Sequence, residues 1–248
     1  MYHPITFRKF AVTIFVITLG IGIGSAQQKS KKKPVKRVNP AMAEVKDVAG
    51  LPRVLLIGDS ISIGYTVPVR ELMAGKANVH RPRTNCGPTT VGLAALSKWL
   101  ETGGADKKWD VIHFNWGLHD LKYLGPDGAN LQDPAKPENH QQVPPGAYRE
   151  NLVELVKRLK ETGATLIWRN TTPVPEGARG RVVGDSVKYN EIAAAVMKDA
   201  GVEVHDLYSF AKERQAEIQK KADVHYTAPG YKVLAEDVVR VISAALEE

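Results

Sequence analysis

Val54-Leu55-Leu56-Ile57-Gly58-Asp59-Ser60-Ile61-Ser62 is the stretch from which the fold of this chain can be read. Four consecutive apolar residues suit a strand buried on both faces, as in a parallel sheet. Gly58 then permits a sharp turn, and Asp59 or Ser60 is able to open the next segment. A side chain placed there stands at the carboxyl end of a strand, where open α/β sheets hold their ligands. Gly-Asp-Ser is also ordinary turn composition, so these residues alone do not separate a nucleophile from a loop.

Downstream, short β-rich runs alternate with helical patterns. Strands are predicted at Val54–Ile57, Val79–Arg81, Val111–Phe114, Thr165–Arg169 and Glu203–His205. Helices are predicted at Val91–Glu101, Tyr148–Thr162 and Ser186–Ala200, with apolar residues at three- and four-residue spacing, such as Leu152, Leu155, Val156 and Leu159. Gly163 and Gly201 come just after two of them, where a left-handed cap favours glycine. A last helix is predicted from an N-cap at Thr227 to Leu246. This alternation predicts a three-layer α/β/α sandwich with a five-stranded, mainly parallel, flavodoxin-like sheet. Residues 124–146 carry five prolines and little periodicity, and read either as a lid beside the site or as a surface insertion.

The 248 residues fit one domain plus a leader. Arg8 and Lys9, an apolar segment from Phe10 to Gly22 and the small residues Gly24-Ser25-Ala26 predict a signal peptide over residues 1–26, cleaved near Ala26. The apolar stretch is shorter than the ~20 residues of a spanning helix. The mature chain is therefore expected to lack an integral span and to be secreted or periplasmic. Residues 27–50 read as a basic, Pro-containing linker, and residues 51–248 as the domain. The formal charge of +7 is concentrated early, on Arg8, Lys9, Lys29, Lys31, Lys32, Lys33, Lys36 and Arg37. Without them bases and acids nearly balance, so no nucleic-acid footprint remains. The single cysteine, Cys86, excludes an intrachain disulfide and reads as a turn or pocket residue.

The catalytic reading is strengthened by motifs further along the chain: Asn85-Cys86-Gly87, Gly117-Leu118-His119-Asp120, and Asp223-Val224-His225 just before the last helix. With Gly58-Asp59-Ser60, and in this order at strand ends, they resemble the SGNH (GDSL) hydrolase superfamily from Arg53 to the C-terminus. Serine needs a base to take its proton. The resemblance assigns Ser60 as nucleophile and His225 as that base. His80, His113 and His205 fall inside predicted strands, where a structural role suits them better. The family's acid stands three residues before the histidine, but that position is Ala222, so the role passes to Asp223, with a backbone carbonyl as the fallback. The oxyanion donors implied are the N–H groups of Ser60 and Gly87 and an asparagine side chain. His119 replaces that asparagine, a change expected to make activity more sensitive to mild acid, and Asn115 is the alternative donor.

The resemblance implies an exported serine esterase acting through an acyl-serine intermediate, with small acyl groups, particularly acetyl on carbohydrate, as the substrate class. The competing reading is a non-catalytic carbohydrate- or envelope-binding module that keeps the fold. No cofactor or metal is implied: helical spacing such as His-Glu-x-x-His, a Gly-rich phosphate loop and the Gly-x-Ser-x-Gly elbow are all missing from the sequence. Arg169-Asn170-Thr171-Thr172-Pro173 is expected at the same end of the sheet, without an assigned role.

Overall fold

The computed structural model describes residues 1–4, 9, 11 and 39–247, and the last of these ranges forms one compact unit. Apart from residues 1–4, 9 and 11, the expected signal peptide lies outside the described residues. No described helix is long and apolar enough to cross a membrane.

Five strands form the central sheet: β1 (Arg53–Ile57), β2 (Asn78–His80), β3 (Val111–Phe114), β6 (Thr165–Arg169) and β7 (Glu203–His205). All pair in parallel in the order β2-β1-β3-β6-β7, with Val54 opposite both Val79 and Val111. Counting only these five, the order is 2-1-3-4-5, the flavodoxin-like arrangement expected from the sequence. Every residue of β1 is buried, which explains its unbroken apolar run. Burying a side chain such as Leu55 or Leu56 contributes about 1.5–3 kcal/mol. A two-stranded antiparallel ribbon, β4 (Tyr123–Leu124) with β5 (His140–Gln141), stands apart from this sheet.

Helices cover both faces. On one, α1 (Ser60–Leu72) packs against α7 (Ala228–Glu247), beside the short helices α5 (Leu207–Glu213) and α6 (Gln215–Ile218). On the other, α2 (Thr89–Leu100), α3 (Pro145–Lys160) and α4 (Asp185–Ala200) pack side by side. Gly64 allows α1 to lie close to α7, since a Cβ there would stand 2.1 Å from the Tyr231 ring. Leu234, Ala235, Val238, Val241, Ile242 and Ala245 form the buried stripe of α7. Its cap is the one expected: Thr227 Oγ1 accepts the Gly230 N–H at 3.0 Å.

Three expectations change. Helix α4, predicted from Ser186, begins one residue earlier at Asp185 and is capped by Gly184, in a left-handed conformation. The basic linker does not extend to residue 50. Asn39 caps a 3₁₀ turn at Pro40–Met42, Ala41 is buried, and Asn78 brackets Val48 by accepting from its N–H and donating to its carbonyl. Asp47 draws together Arg53 (3.1 Å), His80 (2.6 Å) and Lys107 (2.6 Å), contacts spread over sequence that composition could not connect. The 124–146 loop is not structureless. Asp127 and Asp133 cap local turns, the Tyr123 N–H bonds to the Gly180 carbonyl, and Arg179 Nε donates to the Leu131 carbonyl.

Candidate active site

The turn that carries Ser60 is shaped by the start of α1. Asp59 is the N-cap, its Oδ1 accepting the Ile61 N–H at 2.9 Å, and Ser60 becomes the first helical residue. A helix start leaves its first N–H groups without intrahelical acceptors, and the Ser60 N–H has none among the described residues. Beneath the turn, the Gly58 carbonyl accepts from Arg81 Nη2 (3.1 Å) and from the Cys86 N–H (3.3 Å). Arg81 is buried and also bonds to Thr66 Oγ1, Ser62 Oγ and the carbonyls of Pro82 and Thr84. It stitches the end of β2 and the loop after it to the turn that carries Ser60.

A second short loop faces this turn. The Lys220 N–H donates to the His225 carbonyl, Thr227 N–H to that of Ile218, and Gln219 Nε2 to those of Pro173 and Val224. Held in this way, the loop presents Asp223 and His225 to Ser60. His225 Nε2 lies 2.9 Å from Ser60 Oγ, and His225 Nδ1 lies 2.6 Å from Asp223 Oδ1. The same Oδ1 accepts the His225 backbone N–H at 3.1 Å, which explains how a two-residue spacing reaches Nδ1. Ala222, with φ of 53°, supplies the left-handed step that turns the chain there. Burial works against the Asp223 carboxylate, but hydrogen bonds from the His225 backbone and ring, and the charges of His225 and Lys220, hold its pKa below the ordinary aspartate value.

The expected oxyanion donors do not all converge. Asn115 is fully committed below the site: Nδ2 donates to the Arg169 carbonyl at 2.7 Å and Oδ1 accepts from Arg169 Nη2 at 2.7 Å. This corrects its place as the alternative donor, because using it would strand a buried guanidinium. The Gly87 N–H is engaged by Asn85 Oδ1 at 3.0 Å and reaches an oxyanion only when that side chain moves aside. His119 is half-buried and bonds to no protein group among the described residues, so its ring nitrogens are available. Burial depresses its pKa; Asp59 opposes the shift, while Lys122, Arg181 and His225 reinforce it. The ring therefore stays neutral further into acid than an ordinary histidine, which moves the acid sensitivity expected from the replacement of asparagine to lower pH.

Asp120, beside it, faces away. Its Oδ1 accepts from the Thr89 N–H (2.8 Å) and hydroxyl (2.6 Å), anchoring the start of α2, and burial pushes its pKa up to about 7. Gly117 brings the strand end against Thr171, whose Oγ1 would be 1.9 Å from a Cβ at position 117. Burial raises the Cys86 thiol to about 11, keeping it protonated. His113, His205 and Asp237 form a separate buried chain, with links of 3.0 and 2.7 Å. Among the described residues, no group of three or more His, Cys, Asp or Glu side chains is placed to hold a metal.

The positioning roles of Arg81, Arg169 and Gln219 were not visible in the sequence. Their signal lies in long-range contacts. Only Arg169, at a strand end, was legible as a neighbour of the site.

A serine at a helix start, a histidine on its hydroxyl and a carboxylate on that histidine, carried at the ends of a 2-1-3-4-5 sheet, define the class as a serine hydrolase. Residues 56–233 match the GDSL-like lipase/acylhydrolase family, and the chain belongs to it, as an SGNH-type, ester-hydrolysing enzyme. Among solved structures it is similar to a lipase/acylhydrolase from Enterococcus faecalis, with 19% identity, a TM-score of 0.59, and 78% of this chain and 96% of that chain covered. It is also similar to the acetylxylan esterase Axe2 from Geobacillus stearothermophilus, with 16% identity, a TM-score of 0.59, and 81% and 96% coverage. At these identities the likeness concerns the fold. No curated protein matches the chain significantly.

Proposed function

We propose that this chain is an exported esterase that removes a short acyl group, such as acetyl, from a carbohydrate, with Ser60, His225 and Asp223 as its triad. The observation that carries the reading is the continuous path from Asp223 Oδ1 through the His225 ring to Ser60 Oγ, at 2.6 and 2.9 Å. In the reaction, His225 Nε2 takes the hydroxyl proton as Ser60 Oγ attacks the ester carbonyl. Asp223 holds the Nδ1–H tautomer and stabilises the imidazolium. The Ser60 N–H and the neutral His119 ring are the donors free to meet the oxyanion. His225 then returns the proton to the leaving alcohol, activates water, and the acyl-serine is hydrolysed.

Export is supported by the early basic and apolar residues, and a short acyl group by the polar groups about the triad, where His119 feels the charges of Asp59 and His225 and Arg181 those of Asp59 and Asp223. The carbohydrate is suggested by fold likeness to acetylxylan esterases. The assembled triad gives no support to the non-catalytic module. The test is hydrolysis of p-nitrophenyl acetate, p-nitrophenyl decanoate and an acetylated oligosaccharide by residues 27–248, beside Ser60→Ala and His225→Ala. Turnover of the two acetyl esters, lost in both variants and weak on decanoate, is the expected result. Equal rates in wild type and variants, with the fold intact, would overturn the reading.

A further inference from the structure

Among the described residues, the buried or half-buried cations Arg53, Arg70, Arg81, Arg158, Arg169 and Arg214 each place guanidinium nitrogens on protein acceptors. Arg81 is spent on carbonyls and hydroxyls, and Arg53 meets Asp47 and two carbonyls. Arg169 holds the Asn115 amide. Lys122 and Arg181 differ. Lys122 is 9% exposed, yet its ammonium has no hydrogen-bond or ion-pair partner among the described residues. Arg181 donates only Nε, to the Leu118 carbonyl at 3.1 Å, which leaves the Nη1/Nη2 edge of its guanidinium unclaimed. Neither Lys122 Nζ nor the Arg181 Nη atoms belong to the sealed, unpartnered polar atoms of the interior, so each keeps contact with solvent.

Their place in the fold gives this pairing its meaning. Leu118, which holds Arg181, precedes His119, and Lys122 comes three residues after His119 on the same turn. Arg181 belongs to the loop after β6, and its neighbour Gly180 is locked to Tyr123 by the bond at 2.8 Å. A Cβ at Gly180 would strike the Leu131 backbone at 2.4 Å, so that loop is fitted closely. Burial lowers the pKa of both cations; for Lys122 the charge of Arg181 adds to this and that of Asp120, whose Oδ1 is engaged by Thr89, opposes it, while Asp59 and Asp223 act on Arg181 in the opposite sense. Neither carboxylate comes within 4.0 Å of Arg181. Asp59 is sealed under the helix start, and Asp223 is occupied by His225. Desolvated cations without counter-ions cost stability, and a bound anion would relieve that cost.

Resting on the esterase reading above, we propose that Arg181 and Lys122 form an anion subsite beside Ser60, and that the preferred substrate is an ester of a carboxylate-bearing sugar, of the uronic acid type. The Nη1/Nη2 edge of a guanidinium matches the two oxygens of a carboxylate, and Lys122 adds a point charge. A carboxylate held there fixes the sugar while its acylated hydroxyl meets Ser60.

The test compares kcat/KM on acetylated oligogalacturonide and on neutral acetylated xylo-oligosaccharide for wild type, Arg181→Met, Arg181→Lys and Lys122→Met. The ratio of the two substrates is the readout, because structural damage lowers both together. We expect wild type to favour the acidic ester, the preference to fall about tenfold to hundredfold in Arg181→Met, and Arg181→Lys and Lys122→Met to lie between. Binding of the acidic oligosaccharide to Ser60→Ala, with and without Arg181→Met, reads the same subsite without turnover and should weaken by a similar factor. Equal use of both esters by wild type, or a ratio unchanged in Arg181→Met, would overturn the subsite while leaving the esterase standing. Absence of turnover on p-nitrophenyl acetate would instead overturn the esterase reading.

Discussion

Replacing Asp223 by asparagine should cost this enzyme far less than the equivalent change in a deeply buried triad. The His225 and Asp223 side chains are 39% and 42% exposed, so solvent screens the attraction that develops when His225 becomes an imidazolium. With charge centres about 4 Å apart, that attraction is ~1 kcal/mol in water and ~4 kcal/mol at an effective dielectric of 20. A half-exposed pair lies between these limits, at about 2 kcal/mol, which corresponds to a loss of roughly 30-fold in kcat/KM. The tautomer should survive, because Asp223 Oδ1 accepts both the ring Nδ1–H and the His225 backbone N–H, and an asparagine oxygen satisfies the same two donors. In a buried triad the same change costs about 10⁴-fold through the wrong tautomer. The assay is kcat/KM on p-nitrophenyl acetate for Asp223→Asn and Asp223→Ala, with Ser60→Ala as the blank. Both should fall by about one to two powers of ten. A fall near 10⁴-fold in Asp223→Asn, or none beyond threefold, would refute the screening argument.

Other named contacts carry their own expected outcomes. The folded-state pKa of Asp120, about 7, stands above its ordinary 3.8, so its contribution to stability is complete below about pH 4 and is lost as pH rises towards 7. Urea midpoints of wild type should therefore decline between pH 4 and 7 relative to Asp120→Asn, and a constant difference would contradict the titration. Gly64→Ala should destabilise by about 1–3 kcal/mol through overpacking on Tyr231, and Tyr231→Leu should recover part of that in a double-mutant cycle. Cys86, buried and protonated, should react with iodoacetamide only after denaturation, and Cys86→Ser should retain esterase activity. Rapid labelling of the native chain, or inactivation by the substitution, would reopen a role for the thiol.

The sheet was legible because its strands obey a local rule. Runs such as Val54–Ile57 and Val111–Phe114 are apolar in the main and buried on both faces, and their boundaries differ from the structure by no more than a residue or two. The juxtaposition of Ser60 and His225 was legible for a related reason, since both stand beside strong punctuators: a strand end at Gly58 and a capped helix at Thr227. The features that escaped depend on partners distant in sequence. Helix α2 begins at Thr89, two residues before its apolar pattern, because Asp120, 31 residues away, satisfies the Thr89 N–H. Asn115 resembled an oxyanion donor, but Arg169, 54 residues later, claims both ends of its amide. Asp47 has the composition of a linker, yet it meets His80 and Lys107. The environment of His119 was hidden for the same reason: its depressed pKa arises from burial and from charges that include Arg181, which belongs to another loop.

The most direct measurement is covalent labelling by a fluorophosphonate, with mass spectrometry of the digested protein. A Ser60 activated by His225 should take up one equivalent, with the adduct on the peptide that contains Ser60 and labelling abolished in Ser60→Ala and strongly slowed in His225→Ala. An adduct on another residue, or equal labelling of wild type and His225→Ala, would contradict the assignment of this triad.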